Sequence, residues 1–402
     1  MKEREVVIVD GCRTPFGRMG GSLKVFAASD LGGICVKALL DRTGLYKRGG
    51  KVDSLMAGMA CNDSKCSGVA RYIAQLSGLP FEVSATFVEM QGGSAITCLN
   101  HAAWKIKMGI SDIAIVGGVE SHINTPAAFG TDYEPYKAFA PTPLPRLLTP
   151  NPDRNTSLLQ SSDKEAAKWG ISREACDAYA IRSQQRFQAG YQSGLIGPEI
   201  VPVTISATRK TPEQIVIQDE NPHHNTAAES FSAAEPLFTS GVTTAVNSSV
   251  FSDGAAFLLI MTAEKAAELG YTPYAKWIGC AHSGTRESDM GSAAAYSHLK
   301  AAKQLGLKLG SFDVFENNEI SAAQQLTAIE VLQNTACEMV DPSKWNPIGG
   351  AIAVGCPSAA SGARIAISAL KQLEKTGGKY GSLSACCGGG QGATTIIENL
   401  RR

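Results

Sequence analysis

Three short glycine stretches hold the chemical potential of this chain: Gly92-Gly93, Gly355-Cys356-Pro357 and Gly388-Gly389-Gly390. Glycine set after a strand and before a helix lets successive backbone N–H groups converge, and such groups hold an anion or a developing oxyanion. The same glycines also permit plain close packing, and one loop alone does not separate the two readings. Two of the stretches adjoin thiols, since Cys356 lies inside the second and Cys386-Cys387 precedes the third. Alternation along a strand sends Cys386 and Cys387 to opposite faces, with Cys386 expected at the glycine loop, Cys387 in the core and the Cys386 pKa lowered by the loop. The other cysteines are scattered. Cys61 and Cys66 have no second Cys/His pair at zinc spacing, so reduced thiols and no metal are expected.

The elements that must position these groups follow from composition and periodicity. The chain has 402 residues, enough for about two to three domains. It carries 37 basic and 37 acidic residues, which leaves no net field to gather nucleic acid or an anionic membrane. No run approaches the ~20 apolar residues of a membrane span, and the start MKEREVVIVDG lacks a secretory pattern, so a cytoplasmic location is expected. Short apolar runs at Val6-Val9, Ile113-Val116, Ala255-Met261, Ile352-Val354 and Leu383-Cys386 read as strands. Helix-period stretches cover Ala28-Leu40, Ala95-Lys107, Ser172-Gln188, Ser321-Cys337 and Ala360-Leu373. This is an α/β pattern.

The pattern repeats. Gly92-Gly93-Ser94, a helix to Lys107, strand Ile113-Val116 and Gly117-Gly118 correspond to Gly355-Cys356-Pro357, a helix to Leu373, strand Leu383-Cys386 and Gly388-Gly389-Gly390. A duplicated α/β half is the inference. Between the halves the texture changes to the Pro-rich PTPLPRLLTPNPD, a polar helix and QDENPHHNTAAES. The expected organisation is a first half at 1–120, an inserted loop domain at 121–247 with a return to the first half near 243–265, and a second half at 266–402.

In order along the chain, VIVDGCRTPFGRMGGSL, GGVES (Gly117-Ser121), TTAVNSSVFSDGAA (Thr243-Ala256), NNEISAAQ (Asn317-Gln324), GGAIAVGCPSAASGARI (Gly349-Ile365) and CCGGGQG (Cys386-Gly392) resemble the signature blocks of the thiolases, the acyl-CoA acetyltransferase family. The resemblance covers essentially the whole length. It implies two similar α/β halves in a five-layered arrangement, a loop domain over a site for a coenzyme A ester, no permanently bound cofactor, and a homodimer or homotetramer.

The resemblance also assigns positions. Counting back from Glu120, the nucleophilic cysteine of the family falls on Gly92, and Cys98 stands inside the predicted helix, pointing elsewhere. The family's G-H-P is Gly355-Cys356-Pro357 here, a thiol in place of an imidazole. Cys386 matches the acid/base cysteine, and Asn318 matches the residue that holds an oxyanion water. The N–H groups of Gly92 and Gly388 retain a second oxyanion hole. Ser249 matches the serine that contacts pantetheine, Leu158 falls in the block that the family writes H-M-G, and His223 and Glu235 replace basic residues of the nucleotide end. None of the six histidines occupies a matched catalytic block, which leaves them as surface or packing residues. The expected function is C–C bond cleavage or formation on a 3-oxoacyl- or 3-hydroxyacyl-CoA-type ester without a covalent cysteine intermediate. The alternative is a catalytically silent subunit in a hetero-oligomer with a competent thiolase or another partner.

Overall fold

The computed structural model describes residues 4–130, 140–209, 211–222 and 226–402. Strand Val6–Arg13 (β1) leads to helix Ala28–Thr43 (α1), strand Ser54–Gly58 (β2), helix Val69–Leu76 (α2), strand Ser84–Val88 (β3), helix Ser94–Lys107 (α3) and strand Ile113–Glu120 (β4). Helices Leu158–Lys168 (α4) and Arg173–Gln192 (α5) follow, and strand Ser252–Thr262 (β5) returns to the first half. The second half holds strand Ala275–Gly284 (β6), helix Ala293–Leu305 (α6), strand Val314–Asn317 (β7) and helix Ala322–Ala336 (α7). It ends with the one-turn helix Ala351–Val354 (α8), helix Ser361–Thr376 (α9) and strands Tyr380–Cys387 (β8) and Gln391–Asn399 (β9).

The principal strands lie in the order β7-β8-β9-β6-β1-β5-β4-β2-β3. Around the β1–β6 junction the two sides repeat one pattern. β1 is antiparallel to β5, β5 antiparallel to β4, and β4 parallel to β2. Likewise β6 is antiparallel to β9, β9 antiparallel to β8, and β8 parallel to β7. Side-chain alternation then fixes the layers. Val7 and Val9 of β1 pack with α1 and α2, whereas Val6 and Ile8 face α3 and α9. On the other half Leu383 and Ile397 face that same central pair, and Ile396 faces the cluster formed with α6 and α7. The result is the order helix, sheet, helix, sheet, helix, with α3 and α9 in the middle.

Two expectations about local structure are corrected. Ile352-Val354 is not a strand but part of α8. A three-residue apolar run has no period of its own, and here the Ile352 N–H is drawn to the Glu319 carboxylate at 3.0 Å, which fixes a helical turn. Gly388-Gly389-Gly390 does not lead into a helix either; it is the turn of the β8–β9 hairpin, with Cys387 paired to Gln391 and Gly389 and Gly390 both at φ +79°. The inserted helices lie on the second half, α4 against α7 and α5 against α8.

Glu120, at the end of β4, brackets the halves: its carboxylate accepts from the N–H groups of Ala60 and Cys61 at 3.0 Å and from that of Ala359 at 3.3 Å. Burial nevertheless pushes its pKa up to about 7, outweighing the three N–H donors. The folded chain therefore holds this proton to higher pH than the unfolded chain, and stability contributed below pH 4.5 is lost as pH rises to 7. The thermal midpoint should fall across that interval, and Glu120→Gln should flatten the slope, by on the order of 2–3 kcal/mol over the window. A variant whose pH–stability curve parallels the parent's would contradict this. Beside it, a Cβ at Gly118 would collide with the Ala359 backbone carbonyl. Gly118→Ala should therefore destabilise by roughly 1–3 kcal/mol in denaturant titration, because neither backbone has room to retreat.

Candidate active site

The loops entering α3 and α9 meet because those helices pack at their glycine and alanine ends. Gly362 of α9 lies against Ile96 and Ala95 of α3. At the entry to α3, Met90 N–H donates to Ser94 Oγ at 2.9 Å, Ser94 Oγ–H donates to the Gln91 carbonyl at 2.7 Å, and Gln91 takes the left-handed φ of +47°. A non-glycine residue in that region is uncommon and stores strain. It throws Gly92 forward, so that a Cβ built on Gly92 would lie 3.3 Å from the Cys386 carbonyl oxygen and 3.9 Å from Asn318 Nδ2. Gly92 itself has no positive φ, so its backbone accepts a side chain.

Asn318 follows β7 and is fixed through its main chain. Its N–H donates to the Ser384 carbonyl at 2.8 Å, and its own carbonyl accepts from Gln325 Nε2 at 2.9 Å. Asn318 Nδ2 reaches Cys356 Sγ at 3.8 Å, while its Oδ1 is buried without a hydrogen-bond partner among the described residues. Cys356 Sγ also lies 3.5 Å from Ser361 Oγ. Burial pushes the Cys356 thiol up, although Ser361 and Asn318 favour its thiolate.

Cys386 and Cys387 are both fully buried. Cys387 Sγ lies beneath the main chain of Gly93, where an added Cβ would come within 2.5 Å of it, and burial raises its pKa to about 12. Cys386 instead titrates against Cys387, Glu165 and Cys356, and burial followed by these groups pushes it well above the ordinary thiol range. The expected lowering by the glycine turn does not occur, because removal from water outweighs the turn's N–H groups. Gly388 is roofed by Leu148 of the inserted segment, and Gly389 N–H points at Met290 Sδ, 3.2 Å away. The geometry thus draws Gly92, Asn318, Cys356 and Cys386 to one place, with Gly388 at its roof.

Residues matched to the ester's CoA end lie farther along. Ser249 bonds through N–H and Oγ–H to the Ile320 carbonyl, at 2.9 and 3.1 Å. Leu158 is half-buried at the start of α4, whose N-cap is Ser157. Glu235 is exposed, and His223 lies outside the described residues. Cys98 is sealed in the central layer and raised further by burial.

Two groups do more than the sequence reading assigned to them. Glu319 is buried and gathers Tyr179 Oη–H at 2.9 Å, Ser183 Oγ–H at 2.8 Å and Asn346 Nδ2–H at 3.1 Å besides the Ile352 N–H. His122, expected as a surface or packing residue, holds Ser358 Oγ at 3.1 Å through Nε2 and lies tilted against Phe251. Its only sequence signal was its place directly after GGVES.

Comparison with known proteins agrees with this architecture. The family model for the thiolase N-terminal domain matches residues 6–264, and that for the thiolase C-terminal domain matches residues 271–399. A 3-ketoacyl-CoA thiolase of Bacillus subtilis is 36% identical over 98% of this chain and 99% of its own. A beta-ketoadipyl-CoA thiolase of Acinetobacter baylyi is 37% identical over 99% and 100%. Among solved structures, human mitochondrial 3-ketoacyl-CoA thiolase superposes with a TM-score of 0.89 at 31% identity, covering 99% of both chains. The acetyl-CoA acetyltransferase of Syntrophomonas wolfei gives 0.91 at 31% identity, over 99% of this chain and 100% of that one. With both domain models filled in order and relatives matched end to end, the chain belongs to the thiolase family.

Proposed function

We propose that this thiolase-family chain acts on a 3-oxoacyl- or 3-hydroxyacyl-CoA-type ester, making or breaking the C–C bond through an enolate and without an acyl group on residue 92. The observation that carries the reading is the direction of Gly92: its missing side chain points between Cys386 and Asn318, where it offers an N–H but no sulfur. Enolate chemistry needs a base and an oxyanion stabiliser, and no covalent intermediate. The base is Cys386. Its raised pKa makes the thiolate scarce at neutral pH but strongly basic once formed. The stabilisers are the N–H groups of Gly92 and Gly388, together with Asn318, whose buried Oδ1 suits a donor such as a water that bonds the thioester oxygen. The CoA-ester class is supported by the 3-ketoacyl-CoA and beta-ketoadipyl-CoA thiolases among the relatives, and a human relative has been solved with CoA. No resident cofactor enters this scheme.

One observation favours the alternative, a silent subunit assembled with a competent thiolase: burial pushes both Cys356 and Cys386 up, which disfavours the thiolate at either position. Exchange of the ester's α-hydrogens with deuterated solvent separates the readings. The protein should exchange the α-hydrogens of acetoacetyl-CoA or acetyl-CoA, and Cys386→Ala should slow exchange by about 100-fold, as loss of a positioned base does. Exchange at the buffer rate by a folded, ester-binding protein would establish the silent reading.

A second outcome tests the assignment of Gly92. Gly92→Cys with Cys356→His should acquire an acetyl group on residue 92 when incubated with acetyl-CoA, read by peptide mass mapping. Gly92→Cys alone should acylate more slowly, because a buried, protonated thiol at 356 is a poorer base than imidazole. A double variant that melts like the parent and binds the ester, yet never carries acetyl on residue 92, would show that the loops do not present these positions to one substrate.

A further inference from the structure

The space in front of Gly92 has a hydrogen-bonding character of its own. A Cβ on that residue would stand 3.3 Å from the Cys386 carbonyl oxygen and 3.9 Å from Asn318 Nδ2, so one wall accepts a hydrogen bond and the other donates one. The amide has an N–H to spare, since its contact with Cys356 Sγ is long, at 3.8 Å. A hydroxyl matches both walls, donating to the carbonyl and accepting from the amide. A keto oxygen only accepts, and it would turn its lone pairs on those of the Cys386 carbonyl.

The sulfurs around this space point the same way. Breaking the C2–C3 bond of a 3-oxoacyl ester releases an acyl fragment that a nucleophile must take. Residue 92 offers none, and Cys387 lies beneath the main chain of Gly93. Cys356 is only 4% exposed and lies between Ser361 Oγ, at 3.5 Å, and Asn318 Nδ2. Cys386 is fully buried, and burial pushes both Cys356 and Cys386 up, so neither rests as the thiolate that accepts acyl groups. The same bond in a 3-hydroxyacyl ester breaks to a free aldehyde or ketone and needs no acceptor.

We propose that the substrate is a 3-hydroxyacyl thioester whose 3-hydroxyl sits between the Cys386 carbonyl and Asn318 Nδ2, and that the reaction is aldol cleavage or its reverse. The inference rests on the enolate reading given above. The hydroxyl proton passes to the Cys386 thiolate as the C3–O bond becomes a carbonyl. The C2–C3 bond breaks with its electron pair on C2, and the N–H groups of Gly92 and Gly388 hold the enolate oxygen that forms. Cys386 Sγ–H then returns the proton to C2. An aldehyde or ketone and a shortened acyl thioester leave, and no oxidant, reductant or acyl acceptor is consumed. Burial serves the first step, because a thiolate whose pKa is pushed up comes closer to a hydroxyl in basicity than an ordinary thiolate does.

The unaltered full-length protein is incubated with racemic 3-hydroxybutanoyl-CoA, 3-hydroxyhexanoyl-CoA or 3-hydroxy-3-phenylpropanoyl-CoA, and separately with acetoacetyl-CoA plus CoA. Aldehydes are trapped as dinitrophenylhydrazones and acetyl-CoA is measured by mass. At least one hydroxy ester should give aldehyde and acetyl-CoA in equal amounts, about 100-fold or more faster than acetoacetyl-CoA gives acetyl-CoA, as a site built to bond a hydroxyl discriminates. Faster release from acetoacetyl-CoA overturns the proposal. Exchange of the acetyl-CoA α-hydrogens without aldehyde from any hydroxy ester overturns it and leaves the enolate reading standing, whereas absence of both overturns the two together. Gly92→Ala puts a methyl group in the hydroxyl's seat and keeps the N–H. Aldehyde formation should then fall about tenfold or more further than exchange into acetyl-CoA, which has no C3 group; equal losses overturn the seat. Should that variant fail to fold, inhibition of acetyl-CoA exchange in the unaltered protein decides the question: 3-hydroxybutanoyl-CoA should inhibit at lower concentration than acetoacetyl-CoA, and the reverse order overturns the proposal.

Discussion

The buried carboxylate of Glu319 is the constraint on which the site depends. It lies at the meeting of four segments, taking hydrogen bonds from α5 through Tyr179 and Ser183, from Asn346, and from the first turn of α8 through Ile352 N–H. A carboxylate removed from water is tolerated only where its lone pairs are filled, and here four donors converge on two oxygens. Because Asn318 is its chain neighbour and α8 leads directly into Gly355-Cys356, satisfying Glu319 also fixes the distance between Asn318 and Cys356. The inserted helix α5 thereby helps to position the candidate site through Tyr179 and Ser183.

Glu120 does the same on the other side, tying the loop at Ala60-Cys61 to Ala359 across the closely packed Gly118. Two carboxylates, each contributed by one half and each bonded to main-chain N–H groups of distant segments, thus hold the loops that face each other. Glu120 is bonded to backbone N–H groups, and Glu319 to Ile352 N–H and to side chains away from positions 92, 356 and 386, so they position the chain whatever side chains stand there. A glycine at 92 and a thiol at 356 leave this frame untouched, which is why the architecture persists at a TM-score of 0.89 to human mitochondrial 3-ketoacyl-CoA thiolase with only 31% identity.

How far the sequence was legible follows from the same division. The duplicated order of strands and helices was readable, because alternate residues of β1, β4 and β5 must face two different apolar layers and the helices carry their own period. Ile352-Val354 was misread because three apolar residues have no period and a carboxylate 33 positions earlier decides their hydrogen bonding. The convergence of Gly92, Asn318, Cys356 and Cys386 was reached through motif order alone. The thiol electrostatics were not legible, because desolvation depends on what roofs the residue, and Leu148 and the full burial of Cys386 have no local signature.

The motif blocks divide into residues that the fold needs and residues that it does not. Glu319, Glu120, Gly118 and Gly355 are explained by packing and hydrogen bonding: a Cβ at Gly355, which has φ +94°, would strike Ser252 and Asn221. Their presence says little about chemistry. Asn318 differs. Its main chain is anchored, yet among the described residues its buried side chain has no partner for Oδ1 and only a long contact from Nδ2 to a thiol. A buried amide left half-satisfied costs roughly 1–3 kcal/mol, and an apolar residue of similar volume would avoid that cost without disturbing β7 or α7. Gln91 at φ +47° is a second cost that packing does not explain, and it serves to turn Gly92 toward the same point. An unpaired amide oxygen from one half and a strained turn that aims Gly92 from the other face one point, and together they argue more strongly for a ligand site than any of the glycine-rich blocks that led to it.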